Sequence, residues 1–228
     1  MTEGQVGGPV DPEPAPKPGP VTLKGRAGRL ERLNAKKHAP GLWEAVRGHD
    51  DVWTYLADGP FADFALFAAW LDAVERSEVR YHYTVIDTKD RVTGTMSLME
   101  IRPAMRVIEV GYIVYAPIMQ RTMLATEAQY LLARYAFEEL GYRRYEWKCD
   151  SLNAPSRRAA LRFGFVFEGI FRQHMIYKAR NRDTAWYSII DSEWPARKAA
   201  FESWLAPDNF TADGRQKQSL AAINGANA

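Results

Sequence analysis

Apolar and polar positions alternate every second residue in some stretches of this chain and repeat every three or four in others, and one such switch carries chemistry. Val107 to Tyr115 alternates Ile108, Val110, Tyr112 and Val114 with Glu109, Gly111 and Ile113, which predicts a strand ended by Pro117. From Leu124 the apolar residues recur at Ala128, Leu131, Leu132, Tyr135, Ala136 and Leu140, which predicts an amphipathic helix stopped by Gly141. The first N–H groups of such a helix have no intrahelical partners, and its dipole is positive at that end. The junction from Gln120 to Ala128 can therefore hold a pyrophosphate through backbone atoms, with Arg121 adding charge. Thr126 and Glu127 equally read as capping residues.

The same periods organise the rest. A strand is predicted at Val21 to Leu33, a helix near Gly41 to Arg47, and a long helix near Ala62 to Glu78 with Phe64, Phe67, Ala68, Leu71 and Val74 on one face. Antiparallel strands follow at Tyr81 to Asp87, Arg91 to Ile101 and Val107 to Tyr115, with Lys89-Asp90 and Arg102-Pro103 as turns. A fifth strand is predicted at Arg143 to Asp150 and a short helix at Ser156 to Phe163. A closing hairpin, Phe165 to Lys178 with Thr184 to Ile190, precedes a last helix starting at Pro195. Strands first and alternation afterwards predict an α+β fold with a largely antiparallel sheet.

Composition limits the classes. At 228 residues and 46% hydrophobic, the chain can bury one core, expected over residues 21–206. Residues 1–20, rich in proline, and residues 207–228, polar and small, are expected to be flexible tails. A formal net charge of +2 argues against a dedicated nucleic-acid binder. Cys149, the only cysteine, has no disulfide partner. There is no apolar run of about 20 residues and no signal-peptide pattern, so a cytoplasmic protein that does not enter a membrane is expected.

Gly111-Tyr112, Gln120 to Ala128, Asn153-Ala154-Pro155-Ser156 and Phe163-Gly164-Phe165-Val166-Phe167-Glu168-Gly169 together resemble the GNAT superfamily of acyl-CoA-dependent N-acetyltransferases. The branch they most resemble holds the ribosomal-protein N-terminal acetyltransferases. Gly59-Pro60-Phe61, Arg172-Gln173-His174 and Arg182-Asp183 fit the same branch, and the likeness covers roughly Leu30 to Leu205. It implies a mixed, mostly antiparallel twisted sheet with helices on both faces, and acetyl-CoA in a cleft where the strands ending at Tyr115 and Asp150 splay apart. Ile113, Val114 and Tyr115 would offer backbone groups to the pantetheine arm. Gln120, Arg121, Thr122, Met123, Leu124, Ala125 and Thr126 would hold the pyrophosphate, and Asn153 would bond the pantetheine amides. Two departures stand out: Arg121 and Met123 occupy loop positions where most of the superfamily has glycine, and Ala160 stands where many members carry a proton-donating tyrosine.

Amide formation from an amine and a thioester needs a neutral amine, a polarised carbonyl and a proton for the leaving thiolate. Glu109 is the candidate base, acting through a water, unless it merely faces solvent. Ser156 is the candidate donor to sulfur, or else a helix cap. Arg157, with Arg158, is a candidate phosphate contact. Trp53, Tyr55 and Phe61 fall where the family builds its acceptor wall, and also read as packing. His174 reads as a structural histidine and Cys149 as a buried small residue. The expected activity is direct acetyl transfer from acetyl-CoA, with no metal, to a protein N-terminus or small amine. The alternative is a CoA-binding or interaction module without turnover. A homodimer through the edge of the late hairpin is also expected.

Overall fold

The computed structural model describes residues 7–225. Eight strands form one sheet in the order β1-β2-β3-β4-β5-β6-β8-β7, and only β5 and β6 run parallel. The strands are β1 (Thr22–Lys24), β2 (Gly28–Arg32), β3 (Arg80–Asp87), β4 (Val92–Arg102), β5 (Val107–Tyr115), β6 (Arg144–Asp150), β7 (Val166–Tyr177) and β8 (Arg180–Ile190). Helices α1 (Ala35–Val46) and α2 (Phe64–Glu75) cover one face. On the other lie α3 (Met123–Arg134), α4 (Ala154–Arg162) and α5 (Trp194–Leu205). Each face has its own apolar cluster, so the sheet is the partition between two cores.

Several expectations shift for identifiable reasons. The strand expected over 21–33 is a hairpin, because the Glu127 carboxylate accepts from the N–H groups of Arg26 and Ala27, both at 2.7 Å, and pins a turn there. Helix α1 starts six residues before its expected position, capped by Asn34, and keeps Pro40 inside it. Pro40 reads as a breaker, yet only one backbone bond is lost. Helix α2 is shorter than expected, with Asp63 as its cap, and Phe64 lies exposed beside buried Phe67, Leu71 and Val74.

Parts of the expected flexible tails are held against the domain. Among residues 7–20, the Ala15 N–H donates to the Pro103 carbonyl, and the Gly19 N–H to the Tyr135 hydroxyl at 2.9 Å. The hydroxyls of Tyr83 and Tyr142 donate to the carbonyls of Gly19 and Pro16. Three tyrosines at the rim of the core need polar partners, and an extended proline-rich strip supplies bare backbone at small ordering cost. After residue 206, Leu220 is fully buried, Trp204 donates to Gln216, and Asn224 donates to the Arg162 carbonyl. Residues 1–6 and 226–228 of the expected tails lie outside the described residues.

Candidate active site

The expected alternation along β5 breaks in its middle. Thr95 pairs with Val114 and Ser97 with Gly111, so Tyr112 and Ile113 together face the single residue Met96. This is a β-bulge, and Tyr112 takes a left-handed φ of 52° in it. One extra residue exchanges the faces: Ile108 and Val110 point into the α3 core, while Val114 joins the α1–α2 core and Ile113 and Tyr115 return to the first.

The bulge also parts β5 from β6. Their parallel ladder runs from Val107 opposite Arg144 to Val110 opposite Trp147 and goes no further. Beyond Gly111 the strands diverge, leaving 111–115 without a ladder toward β6. The expected splay is present, opening just past the row of Val110 and Trp147, one row beyond Glu109 and Glu146.

At the end of β5 the loop turns into α3. Thr122 caps the helix by accepting from the Ala125 N–H, and Gln120 folds back to donate to the Tyr115 carbonyl. Met123 leans on Arg26, and Thr126 accepts from Arg162 at 3.0 Å. Leu124 and Ala125 bury their side chains in the core. The loop thus keeps its side chains busy and leaves backbone: the N–H groups of Arg121, Met123 and Leu124 have no partner among the described residues. Arg121 is exposed and has a φ of 61°, the left-handed conformation in which glycine is unstrained. A loop with arginine in place of glycine still presents N–H groups at a positive helix end, a geometry that fits a phosphate.

On α4 the expected residues point in different directions. Asn153 caps its own helix by accepting from the Ser156 N–H at 3.0 Å, which leaves its amide N–H2 for another acceptor. The Ser156 hydroxyl accepts from the Trp147 indole at 3.0 Å, so it retains a proton to give. Arg157 is turned away toward β8, donating to the Tyr187 hydroxyl and the Ser151 carbonyl, and is not brought to the loop. The arginine that reaches the first turn of α3 is Arg162, flanked by Phe163 and Trp204. Ala160 is fully buried in the α4–sheet contact.

Glu109 lies on the opposite face from Ser156. It is 5% exposed, so the solvent-facing reading does not hold. Its Oε2 is 2.9 Å from the Lys148 ammonium, an ion pair by distance but off the angle of a hydrogen bond. Lys148 also meets Glu146 at 3.1 Å and lies 3.9 Å over the Trp186 ring. Burial pushes the Glu109 carboxyl up to about 7; Lys148 opposes the rise, and Glu100 and Glu146 add to it. Gly111 keeps the approach open, since a Cβ there would stand 2.6 Å from Met99 Sδ and 3.2 Å from Glu109 Oε1.

Of the expected acceptor wall, Trp53 and Phe61 pack edge to face, with centroids 5.2 Å apart, inside the α1–α2 core. Tyr55 alone spans the mouth of the cleft, donating to the Leu152 carbonyl. Lys148, Asp58 and Arg162 had no motif in the sequence; only the parity of Lys148 with Glu146 on β6 could have flagged one of them. Among the described residues no group of histidine, cysteine or acidic side chains could hold a metal, and no helix is long and apolar enough to cross a membrane.

The family model described as Acetyltransferase (GNAT) domain matches residues 29–166. A GCN5-related N-acetyltransferase from Brucella melitensis is 50% identical, with a TM-score of 0.91 over 93% of this chain and 98% of that one. A probable acetyltransferase of the GNAT family from Chromobacterium violaceum ATCC 12472 is 39% identical, with a TM-score of 0.80 over 86% and 100%. The ribosomal-protein-serine acetyltransferase of Escherichia coli (strain K12) is 30% identical over 48% of this chain and 61% of that protein. The chain spans less than two thirds of the length of the curated relatives it matches.

Proposed function

We propose that this chain, which belongs to the GNAT acetyltransferase family, moves an acetyl group from acetyl-CoA to a primary amine, a protein N-terminus or a small amine, by direct attack in a ternary complex. The observation that carries this reading is the placement of Glu109 and Ser156 on opposite faces of the sheet, at the point where β5 and β6 part.

The splay is the passage between the faces. On the α3–α4 side, the N–H groups of Arg121, Met123 and Leu124 would receive the pyrophosphate, with the Arg121 and Arg162 charges beside it. The open edge of β5 at Ile113 to Tyr115 and the Asn153 amide would hold the pantetheine arm and polarise the thioester carbonyl. On the other side Glu109, with its pKa near neutrality, takes a proton from the incoming ammonium, directly or through a water. The neutral amine attacks the carbonyl carbon, the C–S bond breaks, and Ser156 passes its proton to the thiolate and is reprotonated by the second proton that the nitrogen loses. Burial raises the Cys149 pKa, which favours the thiol over a nucleophilic thiolate and supports attack without an acyl-enzyme.

The test is CoA release with a panel of peptide N-termini and small amines, together with calorimetric binding of acetyl-CoA. Turnover on at least one amine supports the reading. Binding without turnover on any of them leaves the module alternative, and the absence of both sinks the acyl-CoA site. The expected homodimer would form along β7, a free edge exposing Phe167, Phe171 and Ile176, and light scattering on the intact chain tests it.

A further inference from the structure

On the Glu109 face of the sheet, a cavity of about 250 Å³ opens between the end of α2 and the start of β3. Trp70, Val74 and Ala73 form its apolar side, and Asp58, Arg80 and His82 its polar side. His82 is fully buried, yet neither ring nitrogen has a hydrogen-bond partner. Buried imidazoles are ordinarily satisfied, so this one leaves a donor and an acceptor unused at the cavity. Burial, with Arg80 and Arg32 nearby, brings its pKa down to about 3; it is neutral at physiological pH and offers one N–H and one lone pair.

The charges around it are arranged as well. The Arg80 guanidinium lies 4.6 Å over the Tyr112 ring and forms no ion pair with a carboxylate among the described residues. Asp58 takes both the Tyr112 hydroxyl and the Trp70 indole N–H on its Oδ2, which leaves Oδ1 for a further donor. Tyr112, the bulge residue beside the splay, packs against two of the residues that line this cavity, with ring centroids 6.5 Å from Trp70 and 5.7 Å from His82.

Strand register fixes how far the cavity stands from the base. Arg80, Met99 and Glu109 share one row across β3, β4 and β5, and His82, Ser97 and Gly111 share another. Two strand spacings of about 4.8 Å separate β3 from β5, so the Arg80 and Glu109 backbones stand roughly 10 Å apart, which sets the scale of the span between a group held by one and an amine held by the other.

We propose that this cavity is a specificity subsite for the acceptor, receiving a carboxylate roughly 10 Å from the reacting amine, with Arg80 as counter-ion, the His82 N–H as second donor and Asp58 Oδ1 taking an N–H of the connecting chain. It rests on the reading of the Glu109 side as the acceptor side. An extended peptide advances roughly 3.3–3.6 Å per residue, so an acidic side chain at the second or third position fits the span, as does the far carboxylate of an extended amino acid.

The experiment uses the full chain. One arm compares serine-initiated hexapeptides with Asp, Asn or Lys at the second or third position. The other compares linear ω-amino acids with the matching alkylamines. In at least one arm the carboxylate is expected to raise kcat/KM tenfold or more, mainly through KM, and Arg80→Glu to shift the preference toward the lysine peptides or the alkylamines. A response confined to peptides names a protein N-terminus as the source, and one confined to ω-amino acids names a small molecule. His82→Phe is expected to weaken the preference, and circular dichroism shows whether it folds. Arg80, half-exposed, keeps the test decisive if it does not.

Calorimetry without acetyl-CoA separates this inference from the activity. Carboxylate-selective binding that Arg80→Glu abolishes upholds the subsite even if no amine is acetylated. Equal binding and turnover for acidic, neutral and basic ligands, or a preference that Arg80→Glu leaves in place, overturns it.

Discussion

Glu109→Gln keeps the shape of the side chain and removes its ionisation, and the consequences can be worked from burial. Folding raises this carboxyl from 4.5 to about 7, a shift of roughly 2.5 units or ~3 kcal/mol at 1.36 kcal/mol per unit. A base works only when deprotonated, so kcat/KM of the wild type should rise with pH through about 7 and then level off. The stability effect has the opposite sign. A group whose pKa is raised in the fold contributes fully below about pH 4.5, and that contribution is lost as pH rises through about 7. Its ionisation should therefore cost the fold up to ~3 kcal/mol by about pH 8. In Glu109→Gln the acid limb near 7 should vanish, kcat/KM at about pH 8 should fall by about 10²- to 10⁴-fold, and the matching decline in stability should disappear. CoA release followed from about pH 5 to 9, with urea unfolding at the same pH values, reads both. A variant that keeps the limb near 7, or keeps its kcat/KM within about threefold, would show that Glu109 is not the base.

Lys148→Met removes the cation 2.9 Å from Glu109 and should move the acid limb of kcat/KM to higher pH by about a unit or more; an unmoved limb would mean that Lys148 does not set the pKa. Glu127→Ala breaks two charge-assisted bonds to the β1–β2 turn and should cost about 3 kcal/mol in urea unfolding, whereas a loss under about 1 kcal/mol would show that the turn holds itself. Arg121→Gly should leave stability within about 1 kcal/mol, because relief at φ 61° offsets added freedom in the unfolded chain. Arg121→Val should destabilise by about 1–2 kcal/mol at the same position, and equal melting temperatures for the two would argue against the left-handed loop. Deleting residues 1–20 should lower the melting temperature by several degrees, since it strips partners from Tyr83, Tyr135 and Tyr142; an unchanged melting point would return the segment to the status of a tail.

Local pattern was enough for β5, whose expected bounds match the structure, and for α3, which begins one residue before its expected start. Period and turn chemistry are properties of neighbouring residues, so they survive in a one-dimensional string. The order of Gly111, the loop, Asn153 and Glu168-Gly169 further identified the family and the splayed pair, and directed attention to Glu109 and Ser156. What lay beyond reach is contact between distant segments. Nothing in Tyr112 and Ile113 announces that both will face Met96, and that one extra residue decides which side of the sheet each later side chain occupies. Arg157 and Arg162 look alike in the string; one is drawn to Tyr187 and the other to Thr126 by partners 30 and 36 residues away. The proline-rich start carries every mark of disorder, and is held by tyrosine hydroxyls contributed from β3, the π-helical continuation of α3 and the approach to β6. The sequence by itself determined most of the elements and the family, and put forward Glu109 and Ser156 as the proposed reacting groups. The tertiary structure decided the burial that raises the Glu109 pKa, the opposite faces of Glu109 and Ser156, and the cavity at Arg80 and His82, because burial and cross-strand register arise only when residues far apart in the chain are brought together.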